Sequence, residues 1–262
     1  MTTVGIIANS KHDKGLVYAN EVINWLQSRN YTVVMDGKEV YKSDFLVVLG
    51  GDGTMLKASY KAARFNTPML GINLGNLGYL TDVDRYDGLD ALEKTLAGNF
   101  RRERRMMLEV DGYLALNEVF IGHKGTPKLM GFKVDVGDFH MDTFRADGII
   151  VSTPTGSTAY NLSAGGPIVQ PDSDMIVITP VCPHTLFTRP WVLSGNDSAS
   201  ITLVDARGGD VAIYLDGHAK AALKCDNTIT IKRSKYSATV IKTSGISFFE
   251  VLRRKMRREY EI

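Results

Sequence analysis

Apolar and polar positions follow two different rhythms along this chain, and the change falls about a third of the way in. Val4 to Ala8 is a continuous apolar run, as in a strand covered on both faces of a parallel sheet. Between Gly15 and Ser28, residues Leu16, Ala19, Val22, Ile23 and Leu26 recur at helical spacing. Tyr31 to Met35 is rich in β-branched residues and returns to strand. Phe45 to Leu49 is the next buried strand, and it runs straight into Gly50-Gly51-Asp52-Gly53. A helix is predicted from Thr54 to Ala63, then a short strand from Met69 to Ile72. Strand and helix in alternation predict an open, doubly wound α/β sheet.

After about Gly98 the pattern shortens to alternating runs set apart by turn dipeptides: Asp111-Gly112, Gly137-Asp138 and Gly208-Gly209. Such pairs between apolar runs signal tight hairpins. Leu203, Val211, Ile213, Leu215, Ile229, Ile231, Val240 and Ile241 continue the strand spacing, so this region reads as mostly antiparallel β. The tail returns to helix, with Phe248, Phe249, Leu252 and Met256 as its apolar face and Arg253, Arg254, Lys255, Arg257 and Arg258 around it. The predicted fold class is therefore α/β plus all-β. An N-terminal open α/β domain spans 1–98, and an antiparallel β domain spans 99–244. A final helix over about 245–262 packs back on the first domain.

Composition narrows the function classes more than it selects one. The 262 residues carry 31 basic and 29 acidic side chains, a net charge of +2, so the total calls for neither nucleic acid nor membrane. No apolar run approaches the ~20 residues that span a bilayer, and the first residues show no signal-peptide pattern. Two cysteines, Cys182 and Cys225, are too few for a disulfide framework and point to a reducing, cytoplasmic setting. Cys182 and His184 offer two metal donors where structural zinc takes four, which argues against a zinc site. The five cations of the tail read as the solvated face of a last helix, complementing its C-terminal dipole, rather than as an RNA-binding surface.

Two segments carry candidate chemistry. In the first, the glycines of Gly50-Gly51-Asp52-Gly53-Thr54 bring bare backbone N–H groups to a strand end and a helix start, where phosphate is favoured. The segment has neither the lysine of a Walker A loop nor the last glycine of G-x-G-x-x-G, because Leu56 stands in that place. Asp52 is either a turn residue or N-cap, or a base held at the mouth of a phosphate loop. In the second, Asp147 to Tyr160 leads a buried strand into the hydroxyl-rich run Ser152-Thr153-Pro154-Thr155-Gly156-Ser157-Thr158, followed by Ser163-Ala164-Gly165-Gly166-Pro167. Two such low-bulk stretches flanking one Tyr look more like the wall of a pocket than a surface loop.

Gly50 to Thr54, the pair Asn117-Glu118 and Thr153 to Tyr160 together resemble the NAD kinase family. So do Gly71-Ile72-Asn73 running into Gly75-Asn76-Leu77-Gly78, and Cys182-Pro183-His184-Thr185-Leu186 with Arg189-Pro190. The likeness runs from the first strand to about residue 220 in the family's order. The glycine–aspartate motif alone is shared with lipid kinases and phosphofructokinases, whereas the hydroxyl-rich motif is specific. The resemblance implies an NAD kinase/diacylglycerol kinase-like first domain and transfer of the γ-phosphate of ATP to the 2′-hydroxyl of the adenosine ribose of NAD, making NADP. It further implies Mg²⁺ bound with ATP and a homo-oligomer, dimer or tetramer, with no nucleic acid or membrane partner.

Residue by residue, the resemblance makes Asp52 the general base and Gly50, Gly51, Gly53 and Thr54 the phosphate loop, with Gly53 also beside NAD. It gives the adenosine half to Asn117 and Glu118 and puts Tyr79 near the adenine. Arg145 and Asp147 become a charged pair, with Asp147 toward the nicotinamide. Thr158, Ala159, Tyr160 and Ser163 line the NAD site. Two departures stand out: few residues separate Val34 from Phe45, and His218 stands where many relatives carry Gln, so its place in binding is open. The rival readings are a lipid or sugar kinase on the same scaffold and a non-catalytic dinucleotide sensor. The first lacks an exposed apolar entrance in the sequence, and the second has no use for Asp52.

Overall fold

In a computed structural model the residues described are 2–9, 16–35, 37–75, 78–81, 83–126, 128–185 and 187–258. Gly15, Asn76, Leu77 and Leu186, used above, lie outside them. The chain forms two compact units, residues 1–104 with 237–262, and residues 105–236. The passages between units fall within strands, whereas the sequence pattern changes at 98 and 245. Gly98, at φ +79°, closes the third helix, its N–H donating to Thr95 O.

The first unit begins β1 (Thr3–Ala8), α1 (Val17–Gln27), β2 (Thr32–Val34), β3 (Phe45–Leu49), α2 (Asp52–Phe65), β4 (Met69–Asn73), β5 (Val83–Asp84), α3 (Gly88–Leu96). Strands β2, β1, β3 and β4 lie side by side in that order, each neighbouring pair parallel. Every residue of β3 and of β4 is buried, which is why both read as unbroken apolar runs. Tyr18, Ala19, Val22 and Leu26 of α1 pack with Val4, Ile6, Val47 and Ile72 in one apolar cluster. Sheet and helices together place the carboxyl ends of β3 and β4 beside the start of α2, where an open parallel sheet holds ligands.

The second unit holds most of β6 (Arg101–Val110), then β7 (Tyr113–Ala115), β8 (Glu118–His123), β9 (Met130–Val136), β10 (Phe139–Ala146), β11 (Gly148–Ser152) and the short helix α4 (Tyr160–Ser163). It continues through β12 (Met175–Val181), β13 (Trp191–Ser194), β14 (Ser198–Asp205), β15 (Val211–Leu215), β16 (His218–Leu223) and most of β17 (Thr228–Lys242). One antiparallel sheet runs β13-β12-β11-β8-β15-β16, and β10-β9-β14-β17 is another antiparallel run. Val119, Ile121, Ile149 and Val151 from the first pack with Phe132, Val134, Ile201 and Ile231 from the second, a core between two β layers.

The predicted hairpin turns hold with one shift. Asp111-Gly112 links β6 to β7 with both residues at positive φ, and Gly137 turns β9 into β10 at φ +56°. Between β14 and β15 the positive-φ pair is Arg207-Gly208, one residue earlier than expected, because Gly209 packs against the His123 ring where a Cβ would collide.

The last helix, α5 (Phe248–Arg258), belongs to the first unit, as its predicted return requires. Its inner face is not the one expected. Phe249 is 61% exposed and Met256 42%, while Val251 is 5% exposed. The buried or half-buried stripe is Phe248, Val251, Leu252 and Lys255, at i, i+3, i+4 and i+7. Among the described residues no helix is long and apolar enough to cross a membrane.

Candidate active site

The glycine loop sits where the parallel strands end. The Gly50 N–H donates to Ile72 O at 2.9 Å, and Asn9 Nδ2 donates to Thr54 Oγ1 at 3.2 Å, fixing both sides of the loop. The helix starts at Asp52 rather than Thr54, because the Gly51 carbonyl already accepts from the N–H groups of Thr54 (2.9 Å) and Met55 (3.2 Å). The N–H groups of Asp52 and Gly53 thus fall in the first turn, where a helix offers donors and positive potential to an anion. A Cβ built on Gly51 or Gly53 would meet nothing within 4 Å, so the space over the loop is open.

Asp52 does not cap its own helix. Its carboxylate reaches the segment after β4, accepting from the N–H of Tyr79 (2.8 Å, Oδ2) and of Leu80 (2.9 Å, Oδ1), with Thr81 Oγ1 at 3.4 Å. Gly78 makes this approach feasible, since a Cβ there would collide with the Asp52 carboxylate. A carboxylate has about four lone-pair positions, so capacity remains for a substrate hydroxyl. Lys255 of α5 brings its Nζ to 3.8 Å from Asp52 Oδ2 and to 4.4 Å from the centroid of the Tyr79 ring.

The second unit has its own carboxylate anchor. Asp216 accepts from three successive N–H groups, those of Leu116 (2.7 Å), Asn117 (2.7 Å) and Glu118 (2.9 Å). Its own N–H donates to Glu118 O. Asp216-Gly217, both at positive φ, form the β15–β16 turn, so a hairpin tip clamps the start of β8. Glu118 is 7% exposed, and its Oε2 has no hydrogen-bond partner. Burial and then the neighbouring Asp216 charge raise its pKa to about 8, against the N–H of Tyr160, which donates to the carboxyl and lowers it.

The hydroxyl-rich run works mostly as scaffold, not as pocket lining. Thr153 Oγ1 donates to Leu116 O and accepts from the Gly156 N–H, while Ser152 Oγ donates to Asn117 O and Thr153 O. Ser157 Oγ bonds Pro154 O, Val169 O and the Val169 N–H. Gly156 lies flat on the Asn117 backbone, where a Cβ would collide. The buried Asn161 bridges Ser157 O, Pro167 O and the Thr179 hydroxyl. Hydroxyls in a tight buried loop go first to main-chain groups that have no other partner.

The surface left by this scaffold belongs to other residues. Thr158 and Ala159 are half-buried, and Tyr160 and Ser163 are exposed. The Tyr160 ring meets Phe120 edge-on at 5.2 Å, and Phe120 meets Tyr214 at 5.6 Å. Burial raises the pKa of the Tyr160 hydroxyl, helped by Cys182, Asp147 and Glu118, so these groups share one neighbourhood. Arg145 does not join it: its guanidinium lies 3.9 Å from Asp205, the partner also of Arg207. Arg145 and Asp205 both sit opposite Gly131 of β9, one on each side, which brings the guanidinium to Asp205 rather than to Asp147. His218 is exposed at the first position of β16, opposite Leu215. Tyr79 lies in the first unit, beside Asp52 and Lys255.

Two family profiles cover most of the chain: the ATP-NAD kinase N-terminal domain matches residues 39–100, and the ATP-NAD kinase C-terminal domain matches 116–243. The NAD kinase of Caldanaerobacter subterraneus subsp. tengcongensis is 39% identical along 98% of this chain and 99% of its own. The chain belongs to the NAD kinase family. The Moorella thermoacetica NAD kinase is 36% identical over 98% of this chain and 90% of that one. An Archaeoglobus fulgidus NAD kinase crystallised with ATP superposes with a TM-score of 0.82 at 26% identity, covering 98% of this chain and 99% of that one. Yeast NADH kinase complexed with NADH, 22% identical with a TM-score of 0.80, shares the fold over 100% of this chain and 89% of that one.

The NAD kinase profiles contain both anchored segments, yet two residues that organise them escaped the sequence. Asp216 is separated from its partners by 98 to 100 residues, so no local pattern marks the clamp. Lys255 looked like one more solvated cation until its helix face was known. Glu118 generates a testable consequence. Its folded pKa of about 8 lies above the ordinary 4.5, so the native state holds a proton that the unfolded chain releases, and stability must fall as pH rises between those values. In Glu118→Gln this fall of up to a few kcal/mol should vanish, so that the ligand-free variant melts higher than wild type at pH 8 and close to it at pH 5. Parallel pH slopes for the two proteins in thermal melts would refute the assignment.

Proposed function

We propose that this chain transfers the γ-phosphate of ATP to the 2′-hydroxyl of the adenosine ribose of NAD, giving NADP and ADP. The observation that carries the reading is the placement of Asp52: a carboxylate on the first turn of α2, behind an open glycine loop, oriented by the N–H groups of Tyr79 and Leu80. In this reading the α2 N-terminus holds the phosphates through backbone N–H groups. Asn117 and Glu118 take the adenosine half, a ribose hydroxyl satisfying the buried Glu118 Oε2. Asp52 accepts the 2′-hydroxyl proton as the oxygen bonds to the γ-phosphorus, and the bond to the bridging oxygen breaks with its electron pair leaving on ADP.

A divalent cation would enter as part of the nucleotide, whose phosphates the N–H groups around Asp52 and Gly53 would hold. Among the described residues no three His, Cys, Asp or Glu side chains gather as a metal-binding group. Mg²⁺ would neutralise triphosphate charge. Asp52→Asn keeps the shape and the amide contacts to one oxygen but cannot take a proton. It should lower kcat by about 10²–10⁴ while leaving NAD affinity by calorimetry near wild type. Unchanged turnover in an assay coupling NADP to a specific dehydrogenase would remove Asp52 from that role.

The reading extends to a cytoplasmic homodimer or homotetramer. The edge strand β16 supports assembly, since Ala219, Lys220, Ala221 and Ala222 are all exposed along a sheet margin that offers unpaired backbone groups. Sedimentation should give two or four chains. A fully active monomer would overturn the assembly, and kinase activity pelleting with membranes on cell fractionation would overturn the location.

A further inference from the structure

The glycine loop contains no lysine, yet phosphoryl transfer gathers negative charge on the moving group. We propose that Lys255, contributed by the last helix, is the missing cation of this phosphate site, a proposal that rests on the NAD kinase reading. The helix face is the first argument. Lys255 occupies the inner stripe with Phe248, Val251 and Leu252, while the adjacent Arg253 and Arg254 face solvent, so of these three consecutive cations α5 turns only Lys255 inward.

The position of the ammonium is the second argument. Its Nζ stands 3.8 Å from Asp52 Oδ2, longer than a hydrogen bond, and 4.4 Å from the centre of the Tyr79 ring. An aromatic face therefore steadies the charge beside the carboxylate without consuming its N–H donors at bonding distance. Both partners of the pair remain about a third exposed, 31% for Lys255 and 35% for Asp52, too open for the ion pair to serve mainly as a stability element. That openness is toward water, and it lies beside the first turn of α2, where Gly51 and Gly53 leave room for phosphate.

The chemistry then divides cleanly. Asp52 takes the 2′-hydroxyl proton; the oxygen–phosphorus bond forms as the bond to ADP breaks. Lys255 directs its N–H donors to the γ-phosphoryl oxygens as their charge grows. A point charge on a flexible stem suits this, because it can follow the phosphoryl group from ATP to product.

The test compares Lys255→Met, Lys255→Arg and, as a control on the same helix, Arg253→Ala. Lys255→Met should lower kcat about 10²-fold and raise KM for ATP, with KM for NAD within about twofold. Lys255→Arg should recover part of both, and Arg253→Ala should match wild type. Calorimetry of ATP binding without NAD should show about tenfold weaker affinity in Lys255→Met, a readout independent of turnover. Unchanged kcat and ATP affinity would overturn the proposal. So would losses that fall equally on ATP and NAD with Arg no better than Met, since those mark a misplaced helix. A wild type that binds ATP but makes no NADP would defeat the NAD kinase reading instead, and the calorimetric comparison would still decide the place of Lys255.

Discussion

A carboxylate drawn out of water must be given hydrogen-bond donors, and this protein meets that demand with main-chain N–H groups in both of its units. Asp52 ties the start of α2 to the segment after β4, and Asp216 ties a hairpin tip to the start of β8. The first tie joins elements that no ladder connects, the second extends the β8–β15 ladder past its end, and each holds a stretch that bears candidate chemistry. Hydrogen bonds to a charged acceptor contribute roughly twice as much as neutral ones, so loops without their own regular structure gain a defined course. The glycines at 78 and 156 follow from the same demand. Gly78 lets the carboxylate in, and Gly156 lets the hydroxyl-rich loop lie on Asn117.

Glu118 is the exception that gives the arrangement a purpose. Main-chain groups around it are provided for: the Leu116 and Asn117 carbonyls accept Thr153 and Ser152 hydroxyls, and three N–H groups go to Asp216. Yet Glu118 Oε2 is buried without a partner, beside another carboxylate. Leaving such an atom unsatisfied costs about 1–3 kcal/mol, more when charged. The expense falls on a side-chain atom beside a main chain whose own groups are bonded, as expected where a ligand, not the protein, is the intended partner.

Much of this was legible locally. The run from β3 through the glycines into α2 was readable because strand, loop and helix are consecutive, and the hairpins because Asp-Gly pairs carry their own backbone preference. Sequence patterning failed where the deciding contact was remote. The hydroxyls of Ser152, Thr153 and Ser157 looked like pocket lining because composition cannot tell a donor aimed at a ligand from one aimed at the carbonyl of a distant residue. The resemblance made Arg145 and Asp147 a charged pair, but the register of β10, β9 and β14 puts Asp205 in the reach of Arg145. The face of α5 was misjudged because Phe249 and Met256 are apolar yet exposed, while a cation takes the inner position.

That last inversion bears on how the fold and the chemistry are coupled. A phosphate loop with its own lysine is electrostatically complete once a strand, a turn and a helix have formed. Here an ion pair to Asp52 comes from a helix that begins near residue 248, and it is in place only when Phe248, Val251 and Leu252 have found their positions in the first unit. The chain leaves that unit within β6 and returns within β17, so the second unit lies between the two parts in sequence. The charge beside Asp52 is therefore drawn from the far end of the chain, not from the glycine loop itself, so it depends on the packing of α5 within the first unit rather than on a local motif.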